Sequence, residues 1–122
     1  DQSKYPATPN QLKWGQYQEF PAYQTHDPIT VTVGGLEPGN YKLIVYGREH
    51  WAPFSNAGQR VFSIEANNSE PLVVDWAGDF GPLTTAAVTL ETTVDESGIM
   101  NITFVGIVEA PTWDTIELLK VE

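Results

Sequence analysis

The side chains best suited to chemistry in this chain are aromatic rings rather than nucleophiles. Trp14, Tyr17, Tyr23, Trp51, Phe54, Trp76, Phe80 and Trp113 all fall in or beside runs of turn-forming residues. A rigid, flat, apolar ring suits the C–H face of a pyranose, and neighbouring Asp, Glu, Asn and Arg side chains suit its hydroxyls. The stretch "GREHWAPFSNAGQ" concentrates this pattern, with Glu49, His50 and Trp51 in succession ahead of small and polar residues. Trp51 in that setting reads as ligand-facing. Phe54, Trp76 and Phe80, taken singly, read as plugs at the end of a β-fold, and Glu49 and Arg60 as braces for the loop or the strand ends.

Catalytic patterns are weak by comparison. His26 and His50 are isolated, and the sequence holds no Gly-x-Ser-x-Gly elbow, His-x-His pair or His-Glu-x-x-His helix. Sixteen acidic residues supply many carboxylate pairs, but glycoside hydrolysis needs two of them flanking a cleft at a fixed separation. A non-enzyme is therefore expected, with no catalytic residue and no resident cofactor. Asp75, Asp79, Asp95, Glu96 and Asp114 are oxygen donors near turns, the ligand type that calcium prefers. They lack Asp-x-Asp-x-Asp spacing. Solvated carboxylates are the stronger reading and a calcium site the weaker one.

Charge narrows the partners. Six basic against sixteen acidic residues give a formal net charge of -10, the wrong sign for binding nucleic acid phosphates or an anionic membrane. Sugars, proteins and cations remain. There is no cysteine, so disulfides and thiolate metal sites are excluded. No apolar run approaches the length of a membrane span, and "DQSKYPATPNQ" lacks the charged and apolar regions of a signal peptide. Asn67-Asn68-Ser69 and Asn101-Ile102-Thr103 match the glycosylation sequon, which has meaning only in a eukaryotic secretory protein.

The elements that must position the rings are strands. Period-two alternation recurs in "ITVTV" (29–33), "YKLIVY" (41–46), "RVFSIEA" (60–66), "PLVVDW" (71–76), "AAVTLETTV" (86–94), "IMNITFVG" (99–106) and "TIELLKV" (115–121). Turn chemistry separates them: "GGLEPGN", "NNSE", "AGDFGP", "DESG" and "APTWD". Seven short strands at this spacing predict an all-β fold, an antiparallel β-sandwich in one domain spanning residues 1–122. Ile29, Val31, Val33, Val88, Leu90, Met100, Ile102 and Phe104 form the expected core face. Leu12 and Trp14 suggest at most a short edge strand, and residues 1–11 read as loosely ordered. The connections at about 47–59 and 77–85 are long enough to be functional or mobile.

From "YKLIVYGREHWAPFSNAGQRVFSIEANNSEPLVVDW" onward the chain resembles the malectin-like carbohydrate-binding family, over roughly residues 36–121. Members carry a Tyr-x-Val/Leu-x-Leu-x-Phe strand, an Ala-Glu pair, an aromatic-bearing loop and a Gly-x-Arg-Val-Phe-Asp-Val strand. Tyr41 to Tyr46, Glu49 and Gly58 to Ile64 occupy those places, and Asp114 to Val121 resembles the closing strand. Ser63 stands where the family has Asp, Gly47-Arg48 where it has Phe-Ala, and Ala52 where a second aromatic is usual.

The resemblance implies a jelly-roll-like, malectin/galactose-binding-like sandwich whose sugar site is built from loop aromatics and an aspartate at one end. Trp51 and Asp114 correspond to those groups, Tyr17 and Tyr23 match the upstream tyrosines loosely, and His50, Trp113 and Glu49 complete the expected ligand-binding set. The expected function is a non-catalytic carbohydrate-binding module recognising a poly- or oligosaccharide. As an accessory module of a larger extracellular or periplasmic protein, it would also contact other domains of the same polypeptide. The rival readings are a structural or adhesive module that binds protein, and a small hydrolase.

Overall fold

The computed structural model describes the backbone of residues 11–19 and residues 28–50 and 52–121 in full. Among the described residues eight strands carry the fold: β1 (Gln11–Glu19), β2 (Ile29–Val33), β3 (Gly39–Gly47), β4 (Val61–Ala66), β5 (Leu72–Val74), β6 (Ala86–Val94), β7 (Met100–Val108) and β8 (Thr112–Val121). One short helix, α1 (Trp76–Phe80), follows β5. The strands form two four-stranded sheets, ordered β1-β8-β3-β6 and β2-β7-β4-β5. Every pairing is antiparallel. Successive strands cross between the sheets except at the β4–β5 hairpin, which is the connectivity of a jelly roll.

The alternation in the sequence maps onto the two faces of each sheet. From β3, Tyr41, Leu43 and Val45 point inward against Phe62, Ile64, Met100, Ile102 and Phe104 of the other sheet, and all are buried. Each such side chain contributes roughly 1.5–3 kcal/mol through removal from water. The expected core face holds: Val33, Leu90, Met100, Ile102 and Phe104 are buried, with Ile29, Val31 and Val88 packed on their margin.

The structure departs from the alternation in three places. The short edge strand expected around Leu12 and Trp14 is the nine-residue β1, paired along β8 with an irregularity between Gly15 and Gln18. An extra residue at such a bulge breaks strict alternation, which hides a strand from a period-two reading. β8 begins at Thr112 rather than 115. Trp113 and Ile116, three apart, both reach the core, so alternation fails there too.

Third, the "AGDFGP" turn is α1. Asp75, extended at φ -134° and ψ 90°, caps it by accepting from the Gly78 N–H, and Gly81 ends it at φ 101°. A capping carboxylate satisfies a backbone donor that the first helical turn leaves open, so the chain turns helical one residue after the strand pattern seems to run on. The expectation of loose order concerned residues 1–11. Gln11 opens β1, and residues 1–10 lie outside those described.

Candidate functional site

At one end of the sandwich the connection leaving β3 meets the segment that enters β8. The connection is stitched down at several points. Glu49, just past β3, and Arg60, just before β4, form an ion pair with Nε donating to Oε1 at 2.7 Å, and their side chains are only 1% and 4% exposed. Arg60 also donates from Nη1 to the Ala110 carbonyl at 2.5 Å. Its guanidinium lies 5.1 Å from the centre of the Phe54 ring, a cation–π contact. Phe54 thus covers the pair, as a plug, within a 3₁₀ turn at Ala52–Phe54.

A second anchor comes from α1. Asp75 spends one oxygen on the Gly78 N–H at 2.9 Å and the other on the Gly58 N–H at 2.8 Å. One carboxylate therefore caps the helix and holds the loop. Below it the Trp76 indole is buried and donates to the Thr112 carbonyl at 2.8 Å. Gly47 makes room for it: a Cβ there would approach Trp76 Cζ2 to 2.8 Å.

On this frame sit three polar side chains. His50 and Asp114, 64 residues apart in sequence, meet at 2.7 Å between Nε2 and Oδ1. Arg48 Nε donates to His50 Nδ1 at 3.2 Å. That nitrogen must accept, so the ring proton sits on Nε2 and is donated to the carboxylate. The side chains of His50 and Asp114 are 19% and 27% exposed. Neither the second oxygen of Asp114 nor the terminal nitrogens of Arg48 have a protein partner among the described residues. The trio presents an acceptor and donors side by side, the pattern that adjacent hydroxyls satisfy. Close by, the Tyr46 hydroxyl donates to the buried Glu117 at 2.7 Å, tying the outer faces of β3 and β8 together.

The expected site residues separate accordingly. His50 and Asp114 are brought together. Glu49 and Trp113 are corrected: both are buried, Glu49 by its pairing with Arg60 and Trp113 by stacking on Phe104 at 3.7 Å, with the rings 2° from parallel. Neither side chain offers a surface to a ligand. Trp76, grouped with the connection aromatics, is likewise in the core, while Phe80 packs against it and stays exposed. Trp51 and Tyr23 lie outside the described residues, as does the side chain of Tyr17 on β1. Arg48, which reading the sequence did not single out for this site, joins the His50–Asp114 cluster. Its signal was a basic residue two positions before His50 in an acidic chain.

Among the described residues no three His, Asp or Glu side chains gather to hold a metal ion. Of the carboxylates considered for calcium, Asp75, Asp79, Asp95 and Asp114 are bonded to protein donors.

No family model and no curated protein matches the chain in sequence. Solved structures do match. A family 35 carbohydrate-binding module from Clostridium thermocellum aligns at a TM-score of 0.56 and 15% identity, over 89% of this chain and 87% of that one. The two share a fold. The P-domain of Penaeus vannamei nodavirus aligns at 0.51 and 14% identity, over 95% of this chain and all (100%) of that one. Bacteroides uniformis β-glucuronidase 2 aligns at 0.55 and 14% identity over 70% of this chain, which spans only 10% of the enzyme. At such identities the likeness is one of architecture, and function has to be argued from the site. The chain is an antiparallel jelly-roll β-sandwich of the kind that carbohydrate-binding modules use.

Proposed function

We propose that this chain is a non-catalytic carbohydrate-binding module whose sugar site is the loop end around Arg48, His50 and Asp114. The observation that carries the reading is the His50–Asp114 bond at 2.7 Å, which fixes an aspartate beside an arginine with an acceptor and donors left open to solvent. Fixed polar groups next to an apolar ring are what sugar recognition requires. Trp51, which follows His50 directly in sequence, supplies the ring in this proposal, and Tyr17 and Tyr23 are further candidates.

Glu49 and Trp113 act from beneath, as supports. The malectin-like pattern of residues 36–121 supports the same end of the sandwich, and the likeness to the Clostridium thermocellum module supports the same class of ligand. The small share of the β-glucuronidase that this fold occupies fits an accessory module carried by a larger extracellular or periplasmic protein. Binding is favoured over hydrolysis at this end because the cluster presents one carboxylate, Asp114, while Glu49 is buried against Arg60, and glycoside hydrolysis needs a pair flanking a cleft.

The test is titration of a panel of neutral and acidic oligosaccharides against wild type and Asp114→Ala, with and without EDTA. At least one glycan is expected to bind wild type and to lose roughly tenfold or more in affinity with the variant, as loss of an interface anchor does. Glycan binding that Asp114→Ala leaves unchanged would move the site elsewhere.

A further inference from the structure

The opposite end of the sandwich carries a groove of about 430 Å³. It lies between the β4–β5 turn, the β6–β7 turn and the outer face of β7, and its size falls in the range of small-ligand sites. Its walls combine two kinds of side chain. Some are locked into a frame. Asn67, at φ 49°, donates from Nδ2 to the carbonyls of Thr93 and Ile99 at 2.8 and 3.2 Å. It accepts the Asn101 N–H at 2.9 Å through Oδ1. Ser97 donates its hydroxyl and its backbone N–H to Asp95 Oδ1, at 2.5 and 2.9 Å. These bonds tie together both turns and β7.

The others are open. The side chains of Glu65, Asn68 and Thr93, and the Nδ2 of Asn101, have no protein hydrogen-bond partner among the described residues. Thr32 fixes the orientation of the Asn101 amide by donating to its Oδ1 at 2.8 Å, so the NH₂ group is left to face outward. Beside them Ile99 is 41% exposed, an apolar surface among amides, a hydroxyl and carboxylates. Rigid donors and acceptors around one apolar side chain match a pyranose, whose C–H face and hydroxyls need both. Two carboxylates, Glu65 and Asp95, make the groove repel an anion.

We propose that this groove is a second ligand site, for an uncharged sugar ring, which makes the module bivalent with one site at each end of the sandwich. Ligand binding in the groove does not depend on the loop-end site; the bivalency rests on the reading of that site given above. A chain gripping a polysaccharide at two points gains avidity without any new contact.

The test uses ¹⁵N-labelled protein titrated to millimolar cellohexaose, mannohexaose and xylohexaose, with a galacturonic acid oligomer as the acidic counterpart. One or more neutral probes are expected to shift the backbone amides of Asn67 and Ile99 and the side-chain NH₂ signals of Asn68 and Asn101. These shifts persist in Asp114→Ala and weaken at least tenfold in the exposed double variant Asn68→Ala/Asn101→Ala. Failure of all three neutral probes to move these signals overturns the proposal, as does equal binding of the acidic oligomer or survival of the shifts in the double variant. Shifts confined to His50 and Asp114 would sink the groove and leave the loop-end site standing. Shifts confined to the groove would do the reverse.

Discussion

A buried charge is the clearest single-residue device in this protein. Glu49 and Arg60 sit almost wholly out of water, where a charge without its partner is unfavourable by several kcal/mol. Removing one member, as in Glu49→Ala, is therefore expected to destabilise the fold by about 3–5 kcal/mol. Replacing both by apolar residues of similar volume should recover much of that loss, and urea denaturation of the two variants checks it. At the surface, Asp95 is tuned by hydrogen bonds rather than by burial. The hydroxyl and N–H of Ser97 stabilise its charged form and hold its pKa below the usual carboxylate value.

A folded-state pKa lowered in this way adds stability that is present above the unfolded-state pKa. It is lost as the pH falls through the folded-state value. Ser97→Ala should raise the Asp95 pKa back toward normal, which a carbon-detected NMR titration reads directly. At this scale the sequence was partly legible. Glu49 and Arg60 could be taken for braces because each stands at a strand end. Trp113 could not be placed, because "APTWD" looks like turn chemistry and only the stacked partner Phe104 shows that it belongs to the core.

Among the elements, the strands with one face in the core announced themselves through alternation, and Ile29 to Val33 and Met100 to Phe104 are the plainest cases. The elements that stayed hidden have local reasons. β1 carries a bulge, and α1 is only five residues long and begins where an apolar strand pattern seems to continue. The length of the connection after β3 suggested a functional or a mobile loop, and Asp75, Phe54 and the Glu49–Arg60 pair pin it at three points. Asp75 links helix and loop, so Asp75→Ala removes a cap and an anchor together. It should lower stability by ~1–2 kcal/mol, the upper part of the range for N-cap loss. It should also speed hydrogen exchange at Gly58 and Gly78 while leaving the amides of β3 and β7 protected. Uniform exchange across the molecule would show that the anchor is not local.

For the molecule as a whole, the jelly roll was foreseeable in class but its strand order was not, because alternation says which face is buried and nothing about which strands are neighbours. The same limit applied to the site. His50 and Asp114 were suspected separately, and only the packing of β3 against β8 brings them to 2.7 Å. A net charge of -10 spread over the surface is consistent with uncharged ligands at both ends. In the proposed module the loop end binds sugar while the core beneath it carries the stability.

Trp51→Ala separates those two functions most directly. The variant and wild type are titrated calorimetrically with the best-binding oligosaccharide of the panel, and their melting curves are recorded in parallel. The expected result is an affinity loss of at least ~1–2 kcal/mol, as when an aromatic anchor is truncated, with the melting temperature nearly unchanged. A large drop in melting temperature with affinity preserved would contradict the account and make Trp51 a structural plug.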